Sequence, residues 1–159
     1  MKIKIFYSIL VFLTFSPLLF SQKNIAKNYK TEKFNIAIFP KSYGKFLPKN
    51  RFTPSKIEID KAELKLLTEL KVINKNHINQ SSGPVIEENL IKYKRQYFGC
   101  IDKDGKKYLL INSFLSDNEK PKMWLNTFYL VNDGGSYYWQ IKYYINDDEL
   151  KDLHVNGFG

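Results

Sequence analysis

The chain has 159 residues, with 25 Lys/Arg against 16 Asp/Glu, a formal charge of +9, two histidines and one cysteine. That length fits a single domain able to bury a core without staples. The lone cysteine excludes an internal disulfide, so stability must come from packing.

Lys2 and Lys4 precede a run from Ile5 to Phe20 that is apolar apart from Ser8, Thr14, Ser16 and Pro17, and Ser21-Gln22 opens a polar stretch. This is the layout of a secretory signal peptide over residues 1–21, cut after Ser21. A retained anchor is the alternative, but a spanning helix takes about 20 apolar residues and Pro17 breaks a shorter run. No cysteine follows the run, so a lipoprotein anchor has no attachment point. The expectation is an exported protein, periplasmic or secreted, with no stable membrane insertion after cleavage.

Residues 22–52 read as a basic N-terminal arm. From Lys23 to Lys56 nine basic residues meet only Glu32, a local charge of +8. Lys41, Lys45 and Arg51 in this stretch are candidate contacts for an anionic envelope surface or protein, because clustered charge steers association. A solvated leader is the alternative. Nucleic acid is not expected, since lysine without arginine forks is a poor signature of specific recognition. Phe34 to Pro40 predicts a short edge strand, and Lys41 to Arg51 a loop.

Residues 53–159 read as one α+β domain. Ser55 with Glu58 offers a capping box, and Ile59, Ala62, Leu66, Leu67, Leu70 and Ile73 follow helical spacing, with Lys61, Glu63, Lys65 and Glu69 outward. Pro84 opens a shorter helix with Ile86, Leu90 and Tyr93 inward. Five strands follow, at Arg95 to Ile101, Lys106 to Leu115, Thr127 to Val131, Ser136 to Ile145 and Leu150 to Val155, joined by turns and by a charged loop with Pro121. The predicted fold is an N-terminal helix packed on a curved antiparallel meander of about four to five strands, cystatin-like or nuclear-transport-factor-like in outline. In the fourth strand Tyr137, Trp139, Ile141, Tyr143 and Ile145 form the core face. Tyr138, Gln140, Lys142 and Tyr144 form the other, either a partner-binding surface or an ordinary sheet surface.

Other chemistry is sparse. Cys100 lies in the apolar run Tyr97-Phe98-Gly99-Cys100-Ile101 and reads as a buried hydrophobe, although a lone thiol in an oxidising compartment also allows pairing or reaction. Asp102-Lys103-Asp104-Gly105 lacks the later ligands of a calcium loop and reads as a hairpin turn. Asn146-Asp147-Asp148-Glu149 concentrates carboxylates but reads as a solvated turn. His77 and His154 share no motif with Cys100. Ser81-Ser82-Gly83 is not a nucleophile elbow, nor Gly134-Gly135 a phosphate cradle. No residue is assigned a catalytic, cofactor-binding or metal-binding role, and the composition leaves oligomeric state open.

Tyr93 to Gly99, Ile101-Asp102, Gly105, Ile111-Asn112, Trp124, Asp133-Gly134-Gly135 and Asn156-Gly157 together resemble a set of small exported proteins of unknown function from Bacteroidetes-type bacteria. The resemblance covers about two thirds of the chain after residue 21 and implies export and an α+β domain, with no activity to carry over. The expected function is a non-enzymatic exported binding module. A small-ligand-binding or hydrolytic cone and an envelope structural protein are the alternatives.

Overall fold

A computed structural model describes residues 25–115 and 123–158 of the chain. The expected leader at 1–21 and Pro121 lie outside the described residues. Ser55 caps the long helix α1 (Lys56–Ile73) by the predicted box: its hydroxyl accepts the Glu58 amide at 3.3 Å, and the Glu58 carboxylate accepts the Ser55 amide at 2.7 Å. Both amides lack a helical carbonyl, so each bond satisfies an otherwise orphaned donor.

Seven strands form one mixed sheet: β1 (Lys27–Lys30), β2 (Asn35–Ile38), β3 (Arg51–Phe52), β4 (Lys94–Ile101), β5 (Lys107–Phe114), β6 (Tyr138–Tyr144) and β7 (Glu149–Val155). Their order is β1-β2-β4-β5-β6-β7, with β3 also pairing β4. The run β4 to β7 is the antiparallel meander expected from alternation. β2, however, lies parallel to β4 and between β1 and β4, so it is interior rather than an edge. The physical reason is visible in Asn35-Ile36-Ala37-Ile38. Ile36, Ala37 and Ile38 are all buried, and a strand covered on both faces reads as a continuous apolar run. Residues 27–52 thus supply three strands of the sheet. Gly99 allows β3 to close on β4, since a Cβ there would sit 2.4 Å from the Phe52 carbonyl oxygen.

α1 covers one face, where Ile59, Ala62, Leu66 and Leu70 pack with Tyr97, Ile111, Trp139, Ile141 and Tyr143. Burying each large side chain contributes roughly 1.5–3 kcal/mol. Glu63 corrects the outward assignment. It follows Ile59 by four residues and precedes Leu66 by three, which places it on the buried stripe. Leu67, expected inside, is 49% exposed at the edge of that stripe. The expected second helix is a 3-10 turn over Glu87–Lys92, which still buries Ile86, Leu90 and Tyr93. Tyr137, assigned to the core, is exposed in a 3-10 turn before β6, whereas Trp139, Ile141 and Tyr143 are fully buried.

Thr127 to Val131 forms no strand. Side-chain amides on the sheet take the backbone bonds that a neighbouring strand would have used. Gln96 Nε2 donates to the Trp124 and Thr127 carbonyls at 2.6 and 2.7 Å, and its Oε1 accepts the Tyr129 amide at 2.8 Å. Asn112 Nδ2 donates to the Tyr129 carbonyl at 3.0 Å. The segment therefore lies over the sheet instead of joining it.

Candidate functional site

The face of the sheet opposite α1 is built in cross-strand rows, and each residue of the Tyr138, Gln140, Lys142, Tyr144 set belongs to a different row. Lys94, Phe114 and Tyr138 make the first, and Gln96, Asn112, Gln140 and His154 the second. Phe98, Leu110, Lys142 and Lys151 make the third, and Arg51, Cys100, Tyr108, Tyr144 and Glu149 the fourth. Residues in one row share a face and pack side by side.

Residues 123–130 engage the first two rows and, through Phe128 at 4.8 Å from the Phe98 ring, the near end of the third. Phe114 meets Trp124 and Tyr129 with ring centroids 6.1 and 4.7 Å apart, and Tyr129 meets Tyr138 at 6.3 Å. Gln140 Nε2 donates to Asn112 Oδ1 at 3.1 Å, while Asn112 donates to Gln96 at 2.9 Å. Tyr138 and Gln140 are thus half-buried members of the packing that holds this segment down.

The third and fourth rows carry cations on aromatic rings. Lys142 Nζ stands 5.6 Å from the Tyr108 ring and Lys151 Nζ 5.6 Å from the Tyr144 ring, while Tyr108 and Tyr144 lie 5.4 Å apart. The Arg51 guanidinium is 5.8 Å from the Phe98 ring. Its Nε donates to the Gly99 carbonyl at 3.0 Å, Nη1 donates to the Tyr43 carbonyl, and Nη2 is buried without an acceptor. Tyr43 is buried against Phe39 and Phe98, anchoring the loop that carries exposed Lys41 and Lys45 beside Arg51. The structure therefore brings Arg51, Lys142 and Tyr144 together on one end of the face, with Lys41 and Lys45 in the adjoining loop. Lys151 and Tyr108 are members that sequence reading missed. Lys151 was hidden by a bulge in β7, where Asp152 has φ 55 and the register shifts.

Charge in this corner is set by burial and close partners. Burial draws Arg51 below its usual value, against the opposing pull of Cys100, Tyr108 and Tyr43. The Asp152 carboxylate, 2.8 Å from Lys142 Nζ, holds that ammonium above its usual value, and Glu149 does the same for Lys151 at 2.7 Å. Both remain cationic at neutral pH. Cys100 is fully buried in the second-face core, and burial pushes its thiol up despite Arg51, Tyr108 and Lys142. A buried, protonated thiol is a poor nucleophile.

Two other polar clusters are architectural. Arg95, fully buried, pairs bidentately with Glu63 at 2.8 and 2.9 Å, while Tyr97 donates to Glu63 at 2.7 Å and Arg95 Nη1 to the Leu90 carbonyl at 2.6 Å. This clasp ties α1 and the 3-10 turn to β4 inside the first core. In the acidic turn, Asp147 meets Lys106 at 3.0 Å, Asp148 meets Lys65 at 3.1 Å, and Tyr143 donates to Asp148 at 2.7 Å. Asp102 Oδ1 accepts the Asp104 and Lys106 amides at 2.9 Å and Gly105 has φ 80, which makes the other acidic stretch the predicted hairpin turn. No group of three or more His, Cys, Asp or Glu among the described residues is arranged to hold a metal ion.

A cleft of about 310 Å³ opens between the end of α1 and β7, lined by Asn74, Asn76, His77, Asn79 and His154 among aliphatic side chains. Both histidines border it, although neither shares a motif in the sequence. His77 Nε2 lies 3.0 Å from Glu87 Oε1, and Asn74 donates to Glu87 at 2.6 Å. Burial pushes the Glu87 carboxyl up, but hydrogen bonds from Asn74, its own backbone and His77 outweigh this and hold it below the usual range. Near this cleft the end of the chain is tied down: Asn156 Nδ2 donates to the Val131 and Asp133 carbonyls at 2.6 and 3.1 Å, and the Gly135 amide donates to the Gly157 carbonyl at 2.9 Å. Among known proteins, no family, no curated sequence and no solved structure matches the chain.

Proposed function

We propose that the protein is an exported, non-enzymatic binding module that presents the open end of its second sheet face to an anionic partner. One observation carries this reading: Lys142 and Lys151 ride on the paired Tyr108 and Tyr144 rings where the cover of residues 123–130 ends. Tyrosine offers rigid area with a polar tip, and a cation held over its ring needs little reordering to meet a carboxylate or phosphate. Arg51 and the loop with Lys41 and Lys45 extend the positive field at its edge. The buried state of Cys100 argues against thiol catalysis at this end.

Retention on a heparin column tests the site. Lys142→Glu with Tyr144→Ala is expected to elute at markedly lower salt than the native chain while keeping its circular dichroism; unchanged retention defeats the assignment. Export is tested by N-terminal sequencing of protein recovered from the periplasm or medium of a bacterial host, where removal of residues 1–21 leaves Gln22 first. A cystatin-like or nuclear-transport-factor-like outline is supported by one long helix laid against a four-stranded meander.

The cleft favours a second reading, a small-ligand site, because His77 and three asparagines line it. Ligand-observed NMR against a panel of small polar compounds tests it, with binding expected to vanish in Asn76→Ala/His77→Ala.

A further inference from the structure

α1 is apolar on two opposite sides. Its inward stripe packs on the sheet, yet Ile57 is 71%, Leu64 61% and Val72 72% exposed. At about 100° per residue, Leu64 stands about 20° to one side of Ile57 and Val72 about 60° to the other, with exposed Thr68 between them, on the side opposite Leu66. The three make a strip about 22 Å long at 1.5 Å rise per residue. A lone exposed aliphatic is ordinary surface, but an aligned strip on the side that surface helices give to charge is not. Ile91, on the 3-10 turn packed beside α1, is exposed in the same layer.

The charges around the strip are arranged asymmetrically. Lys71 borders it about 20° beyond Leu64, and Lys61 stands within it, about 40° from Ile57 on the Val72 side; neither forms an ion pair among the described residues, although Lys61 is near enough to Asp148 to help draw that carboxyl down. Lys56 lies 4.7 Å from the Tyr29 ring, and Lys27 shares the α1 face of β1 with Tyr29. Two of the four helix acids are paired with cations, and the other two are held by hydrogen bonds. Glu63 is buried on Arg95, Glu58 closes the cap, Glu69 holds Lys65 at 2.7 Å, and Asp60 accepts the Tyr29 hydroxyl at 3.1 Å. The outward side of α1 therefore carries three aliphatic side chains with Lys61 among them and Lys71 and Asp60 along one margin.

We propose that this side of α1 docks on the surface of an anionic phospholipid bilayer, lying in the plane of the interface. Ile57, Leu64 and Val72 enter the boundary between headgroups and acyl chains, and Lys61 and Lys71 meet lipid phosphates. No described helix is long and apolar enough to cross a membrane, and this docking requires no crossing. A second copy of the chain fits less well. Antiparallel twofold pairing of α1 sets each flank against itself, so the flank with Lys61 meets its own copy. Three aliphatic side chains also fall well short of the roughly 800 Å² per partner of a standard interface. A fluid bilayer demands neither shape complementarity nor that area. Docked in this way, the protein turns its second sheet face toward solvent.

Sedimentation of the full chain with vesicles tests the proposal, using phosphatidylcholine alone and phosphatidylcholine with about one-third phosphatidylglycerol at about 0.1 M salt. Every variant carries the same N-terminal segment, so differences between variants report α1. Lys61→Glu/Lys71→Glu is expected to weaken partition onto the anionic vesicles at least about 25-fold, taking roughly fivefold per lysine, and to leave the neutral vesicles little changed. Ile57→Ser/Leu64→Ser/Val72→Ser should weaken anionic binding at least about tenfold. All five positions are solvent-facing, and the single Leu64→Asn variant serves if the triple melts early. Equal partition of native chain and variants overturns the proposal. So does a native dimer in light scattering that Leu64→Asn converts to monomer, since that result gives the strip to a second copy.

Discussion

Replacing Glu63 by leucine separates the worth of a buried ion pair from the cost of breaking it. In the native chain Arg95 spends Nε and Nη2 on Glu63 and Nη1 on the Leu90 carbonyl, and the Tyr97 hydroxyl spends its proton on Glu63. Glu63→Leu leaves a guanidinium with one acceptor in an apolar layer and a buried phenol with none. Breaking such a pair costs about 3–5 kcal/mol, and the stranded hydroxyl about 1 kcal/mol more. With a urea slope of about 2 kcal/mol per molar, the midpoint should fall by about 2–3 M, a large part of a total stability of about 5–15 kcal/mol. Arg95→Met alone should cost a similar amount, because it strands the carboxylate instead. The double variant Glu63→Leu/Arg95→Met should recover most of the loss, since apolar groups of like volume replace a buried pair at little cost. The assay is urea unfolding followed by emission of buried Trp139. If Glu63→Leu alone shifts the midpoint by less than about 0.5 M, or the double variant loses the sum of the singles, the pair is not desolvated in the way the geometry implies.

Three further outcomes follow from the polar groups. Gln96→Leu removes the partners of the Trp124 and Thr127 carbonyls and the Tyr129 amide; a loss of about 3 kcal/mol with greater acrylamide quenching of Trp124 is expected, and unchanged quenching would show that the amides do not hold the segment. Glu87 is held below its ordinary value of 4.5, so its contribution is present above that pH and lost as pH falls through the lower folded value. Glu87→Gln should therefore flatten the acid limb of stability below about pH 4.5, seen in urea midpoints across that range; a limb as steep as the native one refutes it. The Cys100 thiol should react with Ellman's reagent only as fast as the chain unfolds, and rapid labelling of the native protein would contradict its burial.

What sequence reading recovered was local. The Ser55–Glu58 cap, the stripe from Ile59 to Leu70, the turn at Gly105, and the alternation of Trp139, Ile141 and Tyr143 depend on residues a few positions apart. What it missed depends on distant partners. The sequence places β2 at an edge because its pairing with β1 and β4 is invisible in Asn35-Ile36-Ala37-Ile38 itself, although the absence of alternation there is a signal. Charge places Glu63 outward while its helical phase points in; Arg95 and Tyr97 on β4 make the inward position tolerable. Thr127 to Val131 has strand composition, but Gln96 and Asn112 take its backbone bonds from two other strands. Of the candidate surface, Lys142 and Tyr144 were found by alternation, whereas the division between covered and open rows required the position of residues 123–130.

The division of the molecule into two sides follows from its chain order. One insertion between β3 and β4 supplies α1 and the 3-10 turn, hence the layer with the aliphatic strip. Loops after β2 and before β6 bring Tyr43, Trp124 and Phe128 to the opposite face. The sheet lies between them, so Leu64 and Lys142 share no contact and their substitutions should act additively. Heparin reaches lysines on both sides, so Lys61→Glu/Lys71→Glu can lower retention without touching the second face. The aliphatic substitutions carry no such ambiguity. Ile57→Ser/Leu64→Ser/Val72→Ser should lower vesicle binding and leave heparin retention intact, whereas Tyr144→Ala should do the reverse. Loss of both properties in either variant would mean that one surface serves both partners.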